Sequence, residues 1–214
     1  MQVKDIMTTP VTTISKDTPV LEAAKLMKEK RIERLPVVAK GKLIGIVTKD
    51  RVLRASPSMA TSLSLHEIHY LFAKLTVDKI MQRDVVTVTP ETTVESSLRL
   101  AQSKRVGCLP VVDDGKLVGI LTSNDFFYQI LNPLLGIGEP GARVVIRGCD
   151  TPAKMVTAVE VVRDLDFEIV NGAYFPNRSG APRELMLHVH ESNAEPLVEA
   201  LRKQGLDAEV RHRD

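Results

Sequence analysis

The chain of 214 residues contains the same sequence pattern twice, and this internal repeat limits the folds that it can adopt. Residues 6–53 align without a gap with residues 80–127, at an offset of 74, and 19 of the 48 aligned positions are identical. The longest matching stretches are Leu35–Val38 with Leu109–Val112 and Gly41–Thr48 with Gly115–Thr122. Repeated units of this kind usually stack, so that each buries its apolar face against the other. We therefore expect a pseudo-symmetric pair with two equivalent clefts.

The composition limits the classes of partner that this protein is expected to bind. The 29 basic and 27 acidic residues give a net charge of +2, whereas nucleic-acid-binding proteins usually present a clustered basic face. Trp is absent and aromatic residues make up only 4%, so base-stacking surfaces are not expected. Cys108 and Cys149 have no motif spacing, which suits a reducing compartment. No stretch approaches the roughly 18–20 apolar residues of a membrane span. The sequence thus predicts a soluble, cytoplasmic protein without nucleic-acid or membrane partners.

Each copy predicts a β-α-β-β-α unit, because runs of β-forming residues alternate with apolar residues at helical spacing. In the first copy the elements are predicted at Val11–Ile14, from Val20 beyond Met27, at Leu35–Val38, at Leu43–Val47 and from Lys49 onwards. The second copy repeats each step, beginning with the extended run Val85–Thr89. Between the copies, apolar residues from Leu65 to Leu75 recur at helical spacing and indicate a bridging helix.

These patterns divide the chain into five parts. We predict a first repeat over residues 1–55, a connector with the bridging helix over 56–77, a second repeat over 78–134, a linker over 135–141 and a C-terminal domain over 142–214. The linker matches the pattern GxGxxG from Gly136 to Gly141. A dinucleotide site requires a strand before this pattern and a helix after it. Here a helix precedes and a strand follows, so we interpret the pattern as a linker.

The last third of the chain predicts the element order β-α-β-β-α-β. Strands are expected over residues 142–147, 168–175, 184–190 and 206–211, with helices from Thr151 and over 194–203. This is the order of the ferredoxin-like, split βαβ fold. The whole chain is therefore predicted to be α+β.

Each copy ends its last apolar strand with Thr, directly before a helix. The Thr hydroxyl then lies beside the free N–H groups of the helix N-terminus, where an anion or a sugar hydroxyl can bind. In the second copy Asp125 follows Thr122 by one helical turn, and its carboxylate can accept hydrogen bonds from two vicinal ribose hydroxyls. The alternative is that Thr122 only caps the helix and Asp125 is a favourable acid in its first turn.

The runs Leu-Pro-Val-Val and Gly-Ile-Leu-Thr-Ser-Asn-Asp resemble the CBS (cystathionine-β-synthase-type) motif, and the two copies together resemble one CBS pair, or Bateman module. The last third resembles an ACT-like domain in its element order. The whole arrangement is similar to the acetoin-utilisation-type CBS proteins. The resemblance implies a regulatory protein, not an enzyme, that has no cofactor and binds an adenosyl compound such as AMP, ADP, ATP or S-adenosylmethionine. It further implies a homodimer, formed through the CBS pair or the ACT-like domain, that regulates a partner protein.

The resemblance also implies which residues line each cleft, because the family holds the ribose with Thr-x-x-Asp and the base and phosphates with the first strand and the residues around Leu-Pro. The main cleft would comprise Thr122, Ser123, Asn124, Asp125, Thr12, Thr13, Glu33, Arg34 and Pro36, with Arg34 near a phosphate. The second cleft would comprise Thr48, Arg51, Val86, Thr87, Gly107, Cys108 and Pro110. Arg51 stands where this second cleft requires the acid, and Asp50 points about 100° away on a helix. We expect one intact site and one degenerate site.

Other features leave two alternatives open. The first turn of the ACT-like part reads Cys149-Asp150-Thr151-Pro152-Ala153, where the family often has a Gly that admits an amino acid, so this part is at least as well suited to dimerisation or docking.

A structural adaptor with vestigial clefts is one alternative function, favoured by Arg51. A metal-dependent hydrolase using His66 and His69 is the other. These two, like His188 and His190, lack an evident third ligand, so no metal site is predicted.

Overall fold

The computed structural model describes residues 1–55, 74–175 and 183–211, which form two compact units, Met1–Asp125 and Phe126–Asp214. The predicted bridging helix lies almost entirely outside the described residues, as do His66, His69 and residues 176–182 between two predicted strands.

The first unit contains both repeats, built from the same elements in the same order. The first copy comprises a 3-10 turn (Val3–Asp5), α1 (Val20–Lys30), β1 (Arg34–Ala39), β2 (Lys42–Thr48) and α2 (Lys49–Ala55). The second comprises a 3-10 turn (Val77–Lys79), α3 (Val94–Lys104), β3 (Cys108–Asp113), β4 (Lys116–Thr122) and α4 (Ser123–Phe126). In each copy the two strands form an antiparallel hairpin, whose turn has positive φ at both residues, Lys40-Gly41 and Asp114-Gly115. Positive φ at both positions is typical of the tight turns that join twisted strands.

The predicted opening strands, Val11–Ile14 and Val85–Thr89, are much shorter in the structure than the sequence indicates. Ile14 forms a single parallel bridge with Val37, and Val88 forms one with Val111. A hydroxyl-closed turn begins directly after each bridge, where the backbone N–H of residue 15 or 89 donates to the Thr side chain three residues later. The turns divert the chain from the hairpin, so each copy has one bridge in place of its first strand.

The two copies exchange their N-terminal segments. The backbone of Thr8 pairs with Ile120 of β4 through N–H···O bonds of 2.9 and 3.1 Å, and the backbone of Gln82 pairs with Ile46 of β2 through two bonds of 2.9 Å. The buried core of the first copy accordingly includes Met81 from the start of the second copy. Each half of the packed pair therefore combines the N-terminal segment of one copy with the hairpin of the other.

Replacing Gly45 should disturb this exchange more than replacing its counterpart Gly119. A Cβ atom on Gly45 would lie 2.9 Å from the backbone oxygen of Gln82 and 2.8 Å from the sulfur of Met81, whereas one on Gly119 would meet only the flexible side chain of Met7. Overpacking a close contact usually costs ~1–3 kcal/mol. We expect Gly45→Ala to lower the free energy of unfolding by ~2 kcal/mol and Gly119→Ala by less than half of that. Urea unfolding of the two variants measures the difference, and equal losses would contradict the role given to the Gln82 backbone.

The second unit has the element order β-α-β-β-α-β after a short helical lead. A π-helical turn (Phe127–Leu131) and α5 (Asn132–Leu134) precede β5 (Ala142–Arg147), α6 (Pro152–Asp164), β6 (Ile169–Phe175), β7 (Glu184–Val189), α7 (Glu195–Lys203) and β8 (Asp207–Arg211). The strands form one antiparallel sheet in the order β6-β7-β5-β8. The Thr151 hydroxyl caps α6 by accepting from the N–H of Lys154, as its sequence position predicts. Side chains of α6 and α7 and alternate residues of the strands form the buried core on one face of the sheet.

The segment over residues 135–141, predicted as a linker, is hydrogen-bonded to the other face of this sheet; we call it the strap. The ring of His188, which is fully buried, contacts the carbonyl oxygen of Pro140 at 2.8 Å. Asn171 donates to the carbonyl oxygen of Pro133 at 3.1 Å, and the Arg143 guanidinium donates to that of Leu135. The glycine-rich pattern therefore shapes a segment that packs on the sheet.

Candidate functional site

Asp125 lies at the junction of β4 and α4, and we call its surroundings the Asp125 cleft. Its Oδ2 atom accepts hydrogen bonds from the backbone N–H and the hydroxyl of Thr122, both at 2.6 Å. Its Oδ1 atom accepts one from the hydroxyl of Thr8 at 2.8 Å. The residue is only 9% exposed, so these donors largely replace water around the carboxylate. Because an ionised carboxylate has about four acceptor positions, one position on Oδ1 remains for a ligand hydroxyl.

Thr8 is the site residue that the sequence analysis missed. It belongs to the first copy but reaches the acid of the second, because the exchanged N-terminal segment pairs with β4. The repeat offset alone aligns Thr8 with Gln82 and gives no indication of which copy either residue contacts. The exchange thus supplies a third donor to Asp125.

The equivalent place in the first copy, which we call the Arg51 cleft, has the opposite chemistry. The Arg51 guanidinium donates to the carbonyl oxygen of Ile80 at 3.1 Å and to Oε1 of Gln82 at 3.4 Å. The hydroxyl of Thr48 accepts from the backbone N–H of Arg51 at 3.3 Å. Arg51 thus holds the place equivalent to Asp125 in the repeat, and Gln82 holds that of Thr8.

Arg34 lies between the two repeats and contacts the second one. Its guanidinium fills the space beside Gly107, where a Cβ atom would collide with it. Burial raises the pKa of the Cys108 thiol, and the positive charge of Arg34 opposes that shift. Within the described residues the guanidinium makes no hydrogen bond or ion pair, which leaves its donors available to an anion.

The strand register groups these residues differently from the sequence analysis. Arg34 pairs with Thr48 across the first hairpin, and Cys108 pairs with Thr122 across the second. Gly107 and Cys108 therefore lie beside Thr122, although we assigned them to the other cleft. The backbone of Glu33 and Arg34 lies on the Thr48 side, and only the Arg34 side chain reaches the second copy.

The remaining predicted site residues differ in their burial, and none of them is hydrogen-bonded to Asp125 within the described residues. Pro36 and Pro110 are buried in their strands; Thr12, Thr13 and Val86 are half-buried; Thr87, Ser123 and Asn124 are exposed. Glu33 is exposed and forms an ion pair with Lys49 at 3.3 Å. In the described ranges no hydrogen bond joins Thr12 or Thr13 to Asp125, so their assignment to its cleft stays a prediction.

Two surface grooves lie elsewhere on the first unit. One, of about 680 Å³, is lined by hydroxyl side chains from Thr87 to Ser103 together with Arg99, and the other, of about 490 Å³, lies between α1 and α2 beside Glu33. Neither groove is lined by Asp125. We base the candidate site on Asp125, because three donors orient its carboxylate, whereas the first groove has only hydroxyls and Arg99 as polar side chains and the Glu33 carboxylate of the second is paired with Lys49.

The described residues were also compared with the requirements of a metal site and of a membrane-spanning helix. Over 1–55, 74–175 and 183–211, no group of three or more His, Cys, Asp and Glu side chains is arranged to hold a metal ion. No helix in this described part of the chain combines the length and the apolar character needed to cross a bilayer.

Comparison with known sequences places the two repeats in a family. The CBS domain model matches residues 3–58 and 77–132, which together are more than half of the chain. Among curated relatives, inosine-5'-monophosphate dehydrogenase of Korarchaeum cryptofilum is 31% identical over 170 residues, 79% of this chain and 32% of that enzyme. The chain spans about a third or less of the length of the first curated relatives that it matches.

Solved structures of CBS proteins are similar to the chain over about three fifths of its length. A putative acetoin utilization protein (AcuB) from Vibrio cholerae has a TM-score of 0.54 and 31% identity, covering 65% of this chain and 98% of that one. The CBS domain pair of MJ0100, in complex with 5'-methylthioadenosine and S-adenosylmethionine, has a TM-score of 0.51 and 30% identity, covering 62% and 97%. CBSX2 of Arabidopsis thaliana, in complex with AMP, has a TM-score of 0.50 and 30% identity, covering 61% and 96%. The chain belongs to the CBS domain family.

Proposed function

We propose that this chain is a regulatory protein that binds an adenine nucleotide in the Asp125 cleft. The observation that carries the proposal is the carboxylate of Asp125, which Thr8 and Thr122 hold in one orientation at a helix N-terminus with an acceptor position left on Oδ1. The hydroxyl oxygens of both threonines also retain lone pairs, so the group can accept hydrogen bonds from two vicinal ribose hydroxyls. The adenosyl ligands named for the MJ0100 and CBSX2 structures support this ligand class.

The charge near the cleft favours a phosphorylated ligand. The Arg34 guanidinium reaches the copy that carries Asp125 and has donors available in a fork that suits a phosphate. The sulfonium of S-adenosylmethionine is positively charged and would be repelled there. We therefore rank AMP, ADP and ATP above S-adenosylmethionine.

The C-terminal unit is proposed to transmit the response. Its element order and strand order support the ferredoxin-like, ACT-like assignment. Its two edge strands differ, because β6 exposes Ile169 and Phe175 (41% and 40%), whereas β8 carries Asp207, Glu209 and Arg211. Charged side chains protect an edge from pairing, and an apolar edge invites it. We propose β6 as a homodimer contact, in addition to contacts between CBS pairs.

An adaptor without a ligand is the second candidate, and the substitution of Arg51 for an acid favours it. Enzymes occur among the curated relatives, but the chain spans about a third or less of their length, so their activities do not transfer to it. A regulatory role for this chain is preferred because the described residues offer a binding site in Asp125.

Isothermal titration calorimetry of the intact chain with AMP, ADP, ATP and S-adenosylmethionine tests the proposal. We expect at least one of the phosphorylated compounds to bind, and S-adenosylmethionine to bind more weakly. The Arg34→Gln variant should reduce the difference between them. Absence of binding for all four compounds would favour the adaptor. Bound transition metal in the purified protein would instead favour the hydrolase.

Thr8→Val should weaken nucleotide binding, because it removes a donor that orients Asp125 while keeping the side-chain volume. A single hydrogen bond contributes ~0.5–1.5 kcal/mol, so we expect a loss of about 3- to 10-fold. Thr8→Ser keeps the hydroxyl and should bind almost as the parent protein does. Tighter binding by Thr8→Val, measured by calorimetry with AMP, would show that Thr8 competes with the ligand.

A further inference from the structure

We propose that Arg51 and Gln82 close the cleft of the first copy, so that each chain holds a single adenosyl ligand. This inference rests on the proposed function, since it concerns the second of two pseudo-equivalent positions. It adds a structural cause for the asymmetry and names Gln82, which the sequence analysis did not consider, as part of that cause.

The first step is that Arg51 ties down the exchanged segment of the second copy. Its guanidinium bridges the backbone oxygen of Ile80 and the side-chain oxygen of Gln82. Gln82 is itself fixed, because its backbone pairs with Ile46 and its side-chain amide donates to the carbonyl oxygen of Asp84 at 2.8 Å. The half-buried Arg51 guanidinium is therefore held in the cleft by acceptors of the exchanged segment.

The second step is that the Arg51 cleft offers a ribose no carboxylate, only neutral oxygens that already accept from Arg51. Two vicinal hydroxyls need acceptor atoms, and a guanidinium has none. Oε1 of Gln82 already accepts from Arg51, and the Thr48 hydroxyl accepts from the Arg51 backbone N–H. A ligand diol would have to share these two neutral oxygens with Arg51 and would gain no carboxylate in return. The Asp125 cleft differs because all three of its side-chain and backbone donors point at one acid.

The third step is that the two copies differ at two positions, and that the residues at these positions contact each other in both copies. Thr8 with Asp125 in one cleft corresponds to Gln82 with Arg51 in the other, and each pair is internally hydrogen-bonded. Exchanging only one member would leave the other without its partner. The structure thus assigns the choice between an open and a closed cleft to two positions together, and it predicts that the open pair can be transplanted.

The test compares ligand stoichiometry for three forms of the intact chain by calorimetry with AMP, ADP, ATP and S-adenosylmethionine. The parent protein should bind one ligand per chain. The double variant Arg51→Asp with Gln82→Thr, which transplants the Asp125 arrangement, should bind two. Asp125→Ala should bind about 100-fold more weakly and gain no second site. Circular dichroism and thermal melting of each variant establish that it is folded.

Three results would overturn the closure. They are two ligands per chain in the parent protein, one ligand bound by Asp125→Ala with the affinity of the parent protein, or one ligand bound by a folded double variant. If the double variant does not fold, the count in the parent protein and in Asp125→Ala decides the question. No binding by the parent protein would instead reject the proposed function, which is a distinguishable outcome.

Discussion

Substitution of Asp125 by Ala is expected to weaken the binding of AMP about 100-fold. Among the described residues, the Asp125 carboxylate is the charged acceptor that Thr8 and Thr122 hold in this cleft. Hydrogen bonds to a charged group contribute ~1.5–3 kcal/mol, which corresponds to a loss of about 10- to 100-fold for each bond. The upper value applies because the donors of Thr8 and Thr122 lose their acceptor as well. Calorimetry with AMP at constant salt measures the loss.

Two matched variants separate the role of Asp125 from a general effect of charge or folding. Asp50→Ala removes an acid from the start of α2, one position before the place equivalent to Asp125. Asp50 is exposed and paired with Arg54, so the affinity should not change. Asp125→Asn keeps the shape of the side chain and should lose most of the affinity, because an amide cannot accept from all three donors. Unchanged binding by Asp125→Ala would place the nucleotide elsewhere.

Gly141→Ala is expected to destabilise the C-terminal unit by ~3 kcal/mol or more. Gly141 has φ 111°, which Ala adopts only with strain, and a Cβ atom would collide with the backbone oxygen of Val189. Backbone strain and overpacking each cost ~1–3 kcal/mol. For a unit of this size, each kcal/mol corresponds to about 4–8 °C in melting temperature. Thermal unfolding of the intact chain, followed by hydrogen exchange in β5 and β7, measures the effect.

Gly138→Ala is the control for this prediction. Gly138 also lies in the strap and has φ 90°, but no atom lies within 4 Å of its prospective Cβ. Its substitution should cost only the backbone strain, ~1–2 kcal/mol. Losses of equal size for both glycines would show that the strap does not press against β7.

The sequence predicted those features that depend on neighbouring residues. The one-turn spacing of Thr122 and Asp125 predicted that both lie at the same helix start, and in the structure bonds of 2.6 Å join them. The helix start at Thr151 was likewise predicted, because helix capping depends on a few adjacent residues.

The features that were missed depend on partners far apart in the chain. Thr8 contacts Asp125 across 117 positions, and only the packing of the exchanged segments brings the two together. Arg34 crosses to the other copy because Gly107 has no side chain, which a repeat alignment cannot express. The strap resembled a free linker because its glycines suggest turns, whereas Gly136 in fact makes room for the ring of His188. Local patterns carry no information on such tertiary contacts.

A crystal structure of the intact chain with AMP tests the central claim most directly. The account predicts one AMP per chain, with ribose hydroxyls about 3 Å from the Asp125 carboxylate, the phosphate near Arg34 and no ligand at Arg51. AMP bound at Arg51, or in the groove between Thr87 and Ser103 with the Asp125 cleft empty, would contradict it.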